Sequence, residues 1–130
     1  MRLRPEQAHA ALPQVDPGRL RSGQPVGLRD GALLALVAAG LSAVEIAGLK
    51  ASAVSMAGGR LVVSVRRQGV TWSAVLPIEL GARLLAWLTE RRLWAMPESV
   101  FRGPQGALTP DAVRKVLDRY TKAPRRRRSA

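Results

Sequence analysis

Leu28-Arg29-Asp30-Gly31-Ala32-Leu33-Leu34-Ala35-Leu36-Val37-Ala38-Ala39-Gly40-Leu41-Ser42-Ala43-Val44-Glu45-Ile46 decides how this chain is read. From Leu28 to Ala39 almost every position is apolar, and a helix that is apolar all round is buried at the centre of a fold. Gly40 ends that helix. Ser42-x-x-Glu45 has the pattern of a capping box. The Ser42 side chain accepts from the Glu45 amide, and the Glu45 carboxylate returns to the Ser42 amide. A short helix to Leu49 follows, with a cap worth about 1 kcal/mol.

Downstream the period changes from helical to alternating. Ala53 to Ala57, Arg60 to Arg66 and Thr71 to Leu76 read as three strands, separated by Gly58-Gly59 and by Gln68-Gly69. Val, Thr and Trp are enriched there, Leu61, Val63 and Val65 share one face, and the glycine-bearing turns predict an antiparallel meander over a helix. Pro77 stops the sheet. Ile78 to Arg92 predicts an amphipathic helix with Leu80, Leu84, Trp87 and Leu88 inward and Glu79, Arg83, Glu90 and Arg91 in water. Trp87 and Trp94 read as core residues. Val100-Phe101 reads as a short buried strand or anchor, before a turn at Gly103 to Gly106.

Thr109-Pro110-Asp111 opens a last helix with a cap residue, a proline at the first helical position and an acid near the positive dipole end. Val113, Val116, Leu117 and Tyr120 form its apolar face, and Arg114, Lys115, Arg119 and Lys122 the other. Before the central helix, residues 1–27 are punctuated by Pro5, Pro13, Pro17 and Pro25. They read as an arm or linker in which Glu6 to Leu12 forms a short helix at most. Residues 28–122 are expected as the folded domain and 123–130 as a disordered basic tail carrying Arg125, Arg126, Arg127 and Arg128.

The chain has 130 residues, 47% of them hydrophobic, and a formal charge of +12. That length suffices for one domain with a true core. The charge predicts a polyanionic partner, because each neutralised phosphate releases a counterion. With no cysteine and one histidine, His9, neither a disulfide nor a thiolate or zinc site is expected, and no metal or cofactor. No apolar run approaches the roughly 18–20 residues that span a bilayer, and no signal peptide is legible. The expected setting is cytoplasmic and nucleoid-associated, without a membrane partner.

In order and spacing, these elements resemble the catalytic domain of tyrosine recombinases, the phage integrase family. The matching residues are Gly40-Leu41 with Glu45, Val75-Leu76-Pro77-Ile78, Glu79-Leu80 with Leu84, Val100-Phe101-Arg102, and Leu108-Thr109 through Val113-Arg114. The resemblance covers residues 28–122. It implies an α+β, mainly helical fold: a recombinase-like core with a small three-stranded antiparallel sheet packed on helices. It also implies a domain that grips double-stranded DNA.

The family's chemistry does not carry over. Its first catalytic arginine aligns with Ser42. The hairpin lysine falls near Arg67 to Gly69, where no lysine stands, and an arginine there stays protonated and is no general acid. The H-x-L-R-H segment and the nucleophilic tyrosine beyond it have no counterpart. Tyr120 shares its helical phase with Val113, Val116 and Leu117, which makes it a packing residue. Losing one donor to a transferring phosphoryl group already costs about 100- to 1000-fold, so no catalytic residue is assigned.

The resemblance places Lys50, Arg66, Arg67, Arg102, Thr109, Arg114, Lys115 and Arg119 nearest a duplex, with Arg125 to Arg128 as a basic arm. Phosphate contacts would come from the cations and from the amides at the Thr109 helix start. The expectation is a non-catalytic DNA-binding protein serving as a regulator or accessory factor of a mobile element or plasmid. Two alternatives stay open. One is a truncated or split integrase that needs a partner chain; the other is an interaction module that pairs with itself or docks on a recombinase.

Overall fold

A computed structural model describes residues 4–103 and 106–121, and among these it contains five α-helices, two short 3-10 turns and two small sheets. The helices are α1 (Pro5–Ala11), α2 (Val26–Ala38), α3 (Ala43–Ala47), α4 (Ile78–Arg91) and α5 (Pro110–Thr121). One sheet contains β1 (Val54–Ala57), β2 (Arg60–Arg67) and β3 (Val70–Val75), in that order and antiparallel. The other pairs β4 (Arg102–Gly103) with β5 (Gly106–Ala107). This is the α+β, mainly helical architecture expected, with the small antiparallel sheet in place. No helix among the described residues is long and apolar enough to cross a membrane.

α2 is the central helix. Leu33, Leu34, Leu36 and Val37 are all but fully buried, and burying a side chain of this kind is worth about 1.5–3 kcal/mol. The helix begins at Val26, two residues before the apolar run expected from Leu28. Its end is a Schellman turn. Gly40 has φ +104°, its amide donates to Val37 O at 2.9 Å, and the Leu41 amide donates to Leu36 O at 3.1 Å. Gly40 serves there because the left-handed conformation costs it nothing.

Both loops of the meander have two residues at positive φ, Gly58-Gly59 and Gln68-Gly69. That backbone follows the natural twist of a tight hairpin. The register pairs Val63 with both Val54 and Ala74, so Leu61 and Val63 bury their side chains beneath the sheet. On the opposite face Ser64 and Ser73 join hydroxyls across the strands at 3.0 Å.

The first 27 residues are not a free arm. α1 packs on α2, and Ala8, Ala11, Leu12 and Val15 enter the core. Pro5 sits at the start of α1, where a missing amide costs nothing, so the proline taken as a breaker is a helix starter. Farther on, a Cβ placed on Gly27 would collide with the Asp16 carbonyl, and the Gly27 amide donates to Arg19 O at 3.0 Å. Arg83, expected in water on α4, is half-buried and donates to Leu12 O at 3.1 Å and Val15 O at 3.4 Å. Gly31 on α2 leaves the passage for it, since a Cβ there would stand 3.1 Å from Arg83 Nη1.

One further expectation is corrected, and a choice between two is decided. Trp94 is 38% exposed, because it follows the left-handed Arg92 that turns the chain off α4. Val100 and Phe101 are buried but form no strand. The Trp87 indole donates to Val100 O at 2.7 Å and its ring stacks on Phe101 at 6.0 Å, so the segment is anchored by side chains. Lys50 and Ser99 form an isolated antiparallel bridge that ties the end of the α3 turn to this anchor.

Candidate nucleic-acid interface

α3 is short, yet part of the expected set lies beside it, on the β2–β3 hairpin, at Lys50 and on α5. The start of α3 is the capping box read from the sequence. The Glu45 amide donates to Ser42 Oγ at 3.2 Å and the Ser42 amide to Glu45 Oε1 at 2.9 Å. Ser42 is therefore occupied as a helix cap. From the end of β2, Arg67 reaches the same carboxylate. Its Nε donates to Glu45 Oε2 at 2.6 Å, and its Nη2 to Glu45 Oε1 and to Gly40 O, each at 2.8 Å. The guanidinium lies 3.7 Å from the centre of the Trp72 ring.

Arg67 holds the Glu45 carboxyl below its usual range, chiefly through that side-chain hydrogen bond, with the Ser42 amide adding to it. Glu45 in turn raises Arg67. This fork-to-carboxylate pair, with an aromatic face against the guanidinium, suits arginine and not lysine. Of the two hairpin arginines expected at a phosphate, Arg67 is thus committed within the fold. Arg66 is exposed and only touches its own turn, donating to Gly69 O at 2.8 Å.

α5 packs on α3. Thr109 Oγ1 accepts from the Ala112 amide at 3.2 Å, the expected cap. Arg114 pairs with Asp111 at 2.9 Å, an exposed pair of small energetic value. Lys115 is exposed, as are Lys50 and Arg102. Hairpin tip, Lys50 and α5 thereby flank α3, with Arg66, Lys50 and Lys115 in water. Arg125, Arg126, Arg127 and Arg128 lie outside the described residues.

Behind this surface is a buried polar cluster that the sequence did not announce. Asp30 has no exposed surface. It accepts from Arg29 Nε at 3.0 Å and from the Tyr120 hydroxyl at 2.6 Å, and Arg119 Nη1 stands 3.6 Å away. Burial first, then the Asp30 hydrogen bond and charge, push the Tyr120 phenol up to about 12. A tyrosine nucleophile needs an accessible oxygen and a group to take its proton into reaction. Tyr120 is buried (7% exposed) and its hydroxyl donates a hydrogen bond to a structural carboxylate. Among the described residues, no group of three or more His, Cys, Asp or Glu side chains is placed to hold a metal ion.

Folding also creates a cationic cleft of about 740 Å³, lined by Arg21, Arg29, Arg91 and Arg102, with Trp87, Leu93, Val100 and Leu108 among its apolar walls. Only Arg102 was singled out by sequence. The others come from the loop before α2, from α2 itself and from the end of α4. No run or spacing in the chain relates them. Comparison with family models, with curated proteins and with solved structures found no match to this chain.

Proposed function

We propose that this chain is a non-catalytic double-stranded-DNA-binding protein built on a recombinase-like core, acting as a site-binding regulator or accessory factor of a mobile element or plasmid. The observation that carries the reading is the formal charge of +12, together with Lys50, Arg66 and Lys115 exposed on elements that flank α3. Cations in that setting bind phosphate by releasing counterions, a term that is independent of sequence and falls with salt. Two arrangements support the non-catalytic part. Ser42 is spent on the cap of α3, and the only tyrosine points its hydroxyl at Asp30.

A gel shift across salt concentrations tests the proposal, with duplexes selected from a random pool against scrambled ones. The expected result is a logarithmic affinity that falls linearly with log salt, by about 0.9 per phosphate engaged. Selected duplexes should bind above scrambled ones at every salt. Failure to bind any duplex in dilute buffer refutes it.

A second reading, pairing with another copy or with a recombinase, is favoured by apolar side chains left in water. Val44, Val70, Val75 and Ile78 are each more than half exposed, and an interaction site would bring such side chains together in one patch. Solution mass without DNA tests it: a monomer indifferent to intact recombinase removes this reading.

A further inference from the structure

The lining of the cleft beside the N-terminus of α2 combines two chemistries. Arg21, Arg29, Arg91 and Arg102 supply charge; Pro25, Val26, Leu93 and Leu108 supply apolar wall. We propose that this cleft binds a small organic anion with an apolar body, its phosphate or carboxylate head against Arg21, Arg91 and Arg102. The assignment does not rest on DNA binding.

Size comes first. At about 740 Å³ the cleft falls in the roughly 300–1,000 Å³ range of small-molecule sites, which are mostly apolar with a few convergent polar groups. A duplex presents a convex rod and cannot enter such a space.

Charge gives the sign of the ligand. Arg29 is already engaged by Asp30, at 3.0 Å from Nε and 2.9 Å from Nη2. Arg21, Arg91 and Arg102 have no ion pair among the described residues, and Glu98 is the single acid in the lining. Three guanidinium forks without a carboxylate partner among the described residues, against one carboxylate, select an anion, and the planar fork suits a phosphate or carboxylate head.

Rigidity and polarity give the body. The floor is held by the Trp87 indole bond to Val100 O at 2.7 Å and by the Trp87–Phe101 stack. Arg91 lies 5.6 Å from the Trp87 ring, which keeps its charge at the rim. A bare inorganic anion would leave the aliphatic walls in water, and a neutral hydrocarbon would leave the arginines unmatched.

The test titrates the full chain with 2-naphthyl phosphate and 2-naphthoate, which separate the two head groups. The two halves, inorganic phosphate and 2-naphthol, serve as comparators, and backbone amide shifts are the readout. The expected result is that at least one naphthyl anion saturates a single site, at least tenfold more tightly than either half. Shifts should concentrate at residues 21–29 and 91–102. Arg91→Gln and Arg102→Gln should each weaken the tighter anion about tenfold. Glu98→Gln should tighten it severalfold, a gain that damaged folding cannot mimic. Shifts scattered over the surface, halves binding as well as the whole, or no gain in Glu98→Gln would overturn the proposal. A duplex that displaces the anion molecule for molecule would also overturn it. A chain that ignores duplexes yet binds the anion upholds the cleft while removing the DNA reading.

Discussion

The Tyr120 hydroxyl donates to Asp30 Oδ2 at 2.6 Å, joining α5 to α2 across 90 positions of sequence. Both groups are buried, so the bond replaces water that neither can reach. Loss of the hydroxyl in Tyr120→Phe leaves Asp30 with Arg29 and the more distant Arg119. An under-satisfied buried acceptor costs about 1–3 kcal/mol, expected as a lower urea midpoint with an unchanged slope. Asp30→Ala should cost more, about 3–5 kcal/mol, since it strands the Arg29 cation and the phenol together.

The same contact sets an alkaline limit. The phenol's folded value of about 12 exceeds its ordinary 10.0, so the folded state holds this proton more tightly than the unfolded chain. Its contribution is complete below pH 10 and is lost as pH rises from 10 towards 12. Absorbance at alkaline pH reports it cleanly, because Tyr120 is the only tyrosine. Ionisation at an ordinary pH in the folded protein would contradict the buried bond.

At the other end of the chain, Gly27 and Arg83 hold the N-terminal segment. Gly27→Ala drives a methyl into the Asp16 carbonyl, and backbone must shift, at a cost of about 3 kcal/mol. Arg83→Met keeps the length but drops the donors to Leu12 and Val15, a loss of about 1–3 kcal/mol. Each variant should speed tryptic cleavage at Arg19 and Arg21. Cleavage as slow as in the parent chain would mean that this segment is held by something else.

Much of this was legible where the signal is local. The Ser42–Glu45 box, the Thr109 cap, the glycine hairpins and the inner stripe of α4 each follow from residues a few positions apart, and the structure has each of them. The N-terminal helix was misjudged because its buried face is Ala8, Ala11 and Leu12, too small and short to outweigh four prolines. Arg67 was expected at a phosphate because its partner, Glu45, lies 22 positions away. The cleft arginines come from segments that meet only in three dimensions, and composition registers their charge without their convergence.

On the proposed non-catalytic reading, an arginine placed at Ser42 should produce no strand-cleaving chemistry. Ser42→Arg removes the cap, at about 1 kcal/mol, and brings a second guanidinium towards Arg67 at the shared carboxylate. On a nicked suicide duplex this variant should form no covalent adduct, since Tyr120 stays buried behind Asp30. An adduct from either the variant or the parent chain would reverse the non-catalytic proposal.

Arginines of the same hairpin should behave oppositely. Arg66, Lys50 and Lys115 are exposed, so changing any one to Ala should weaken DNA binding about equally for all sequences and lower the salt slope by about 1. Stability should move by less than about 0.5 kcal/mol. Arg67→Ala instead removes the Glu45 and Gly40 bonds and the Trp72 contact, so it should lower the unfolding midpoint and leave the salt slope intact. Acid sharpens the contrast. Glu45 is held below its usual 4.5, so the pair stabilises fully above that pH and fades as pH falls through the lowered value. The Arg67→Ala stability deficit should therefore shrink as pH falls below 4.5, while a deficit that persists unchanged into strong acid would detach Arg67 from Glu45. A loss of salt slope in Arg67→Ala equal to that of Arg66→Ala would return Arg67 to the phosphate-binding set.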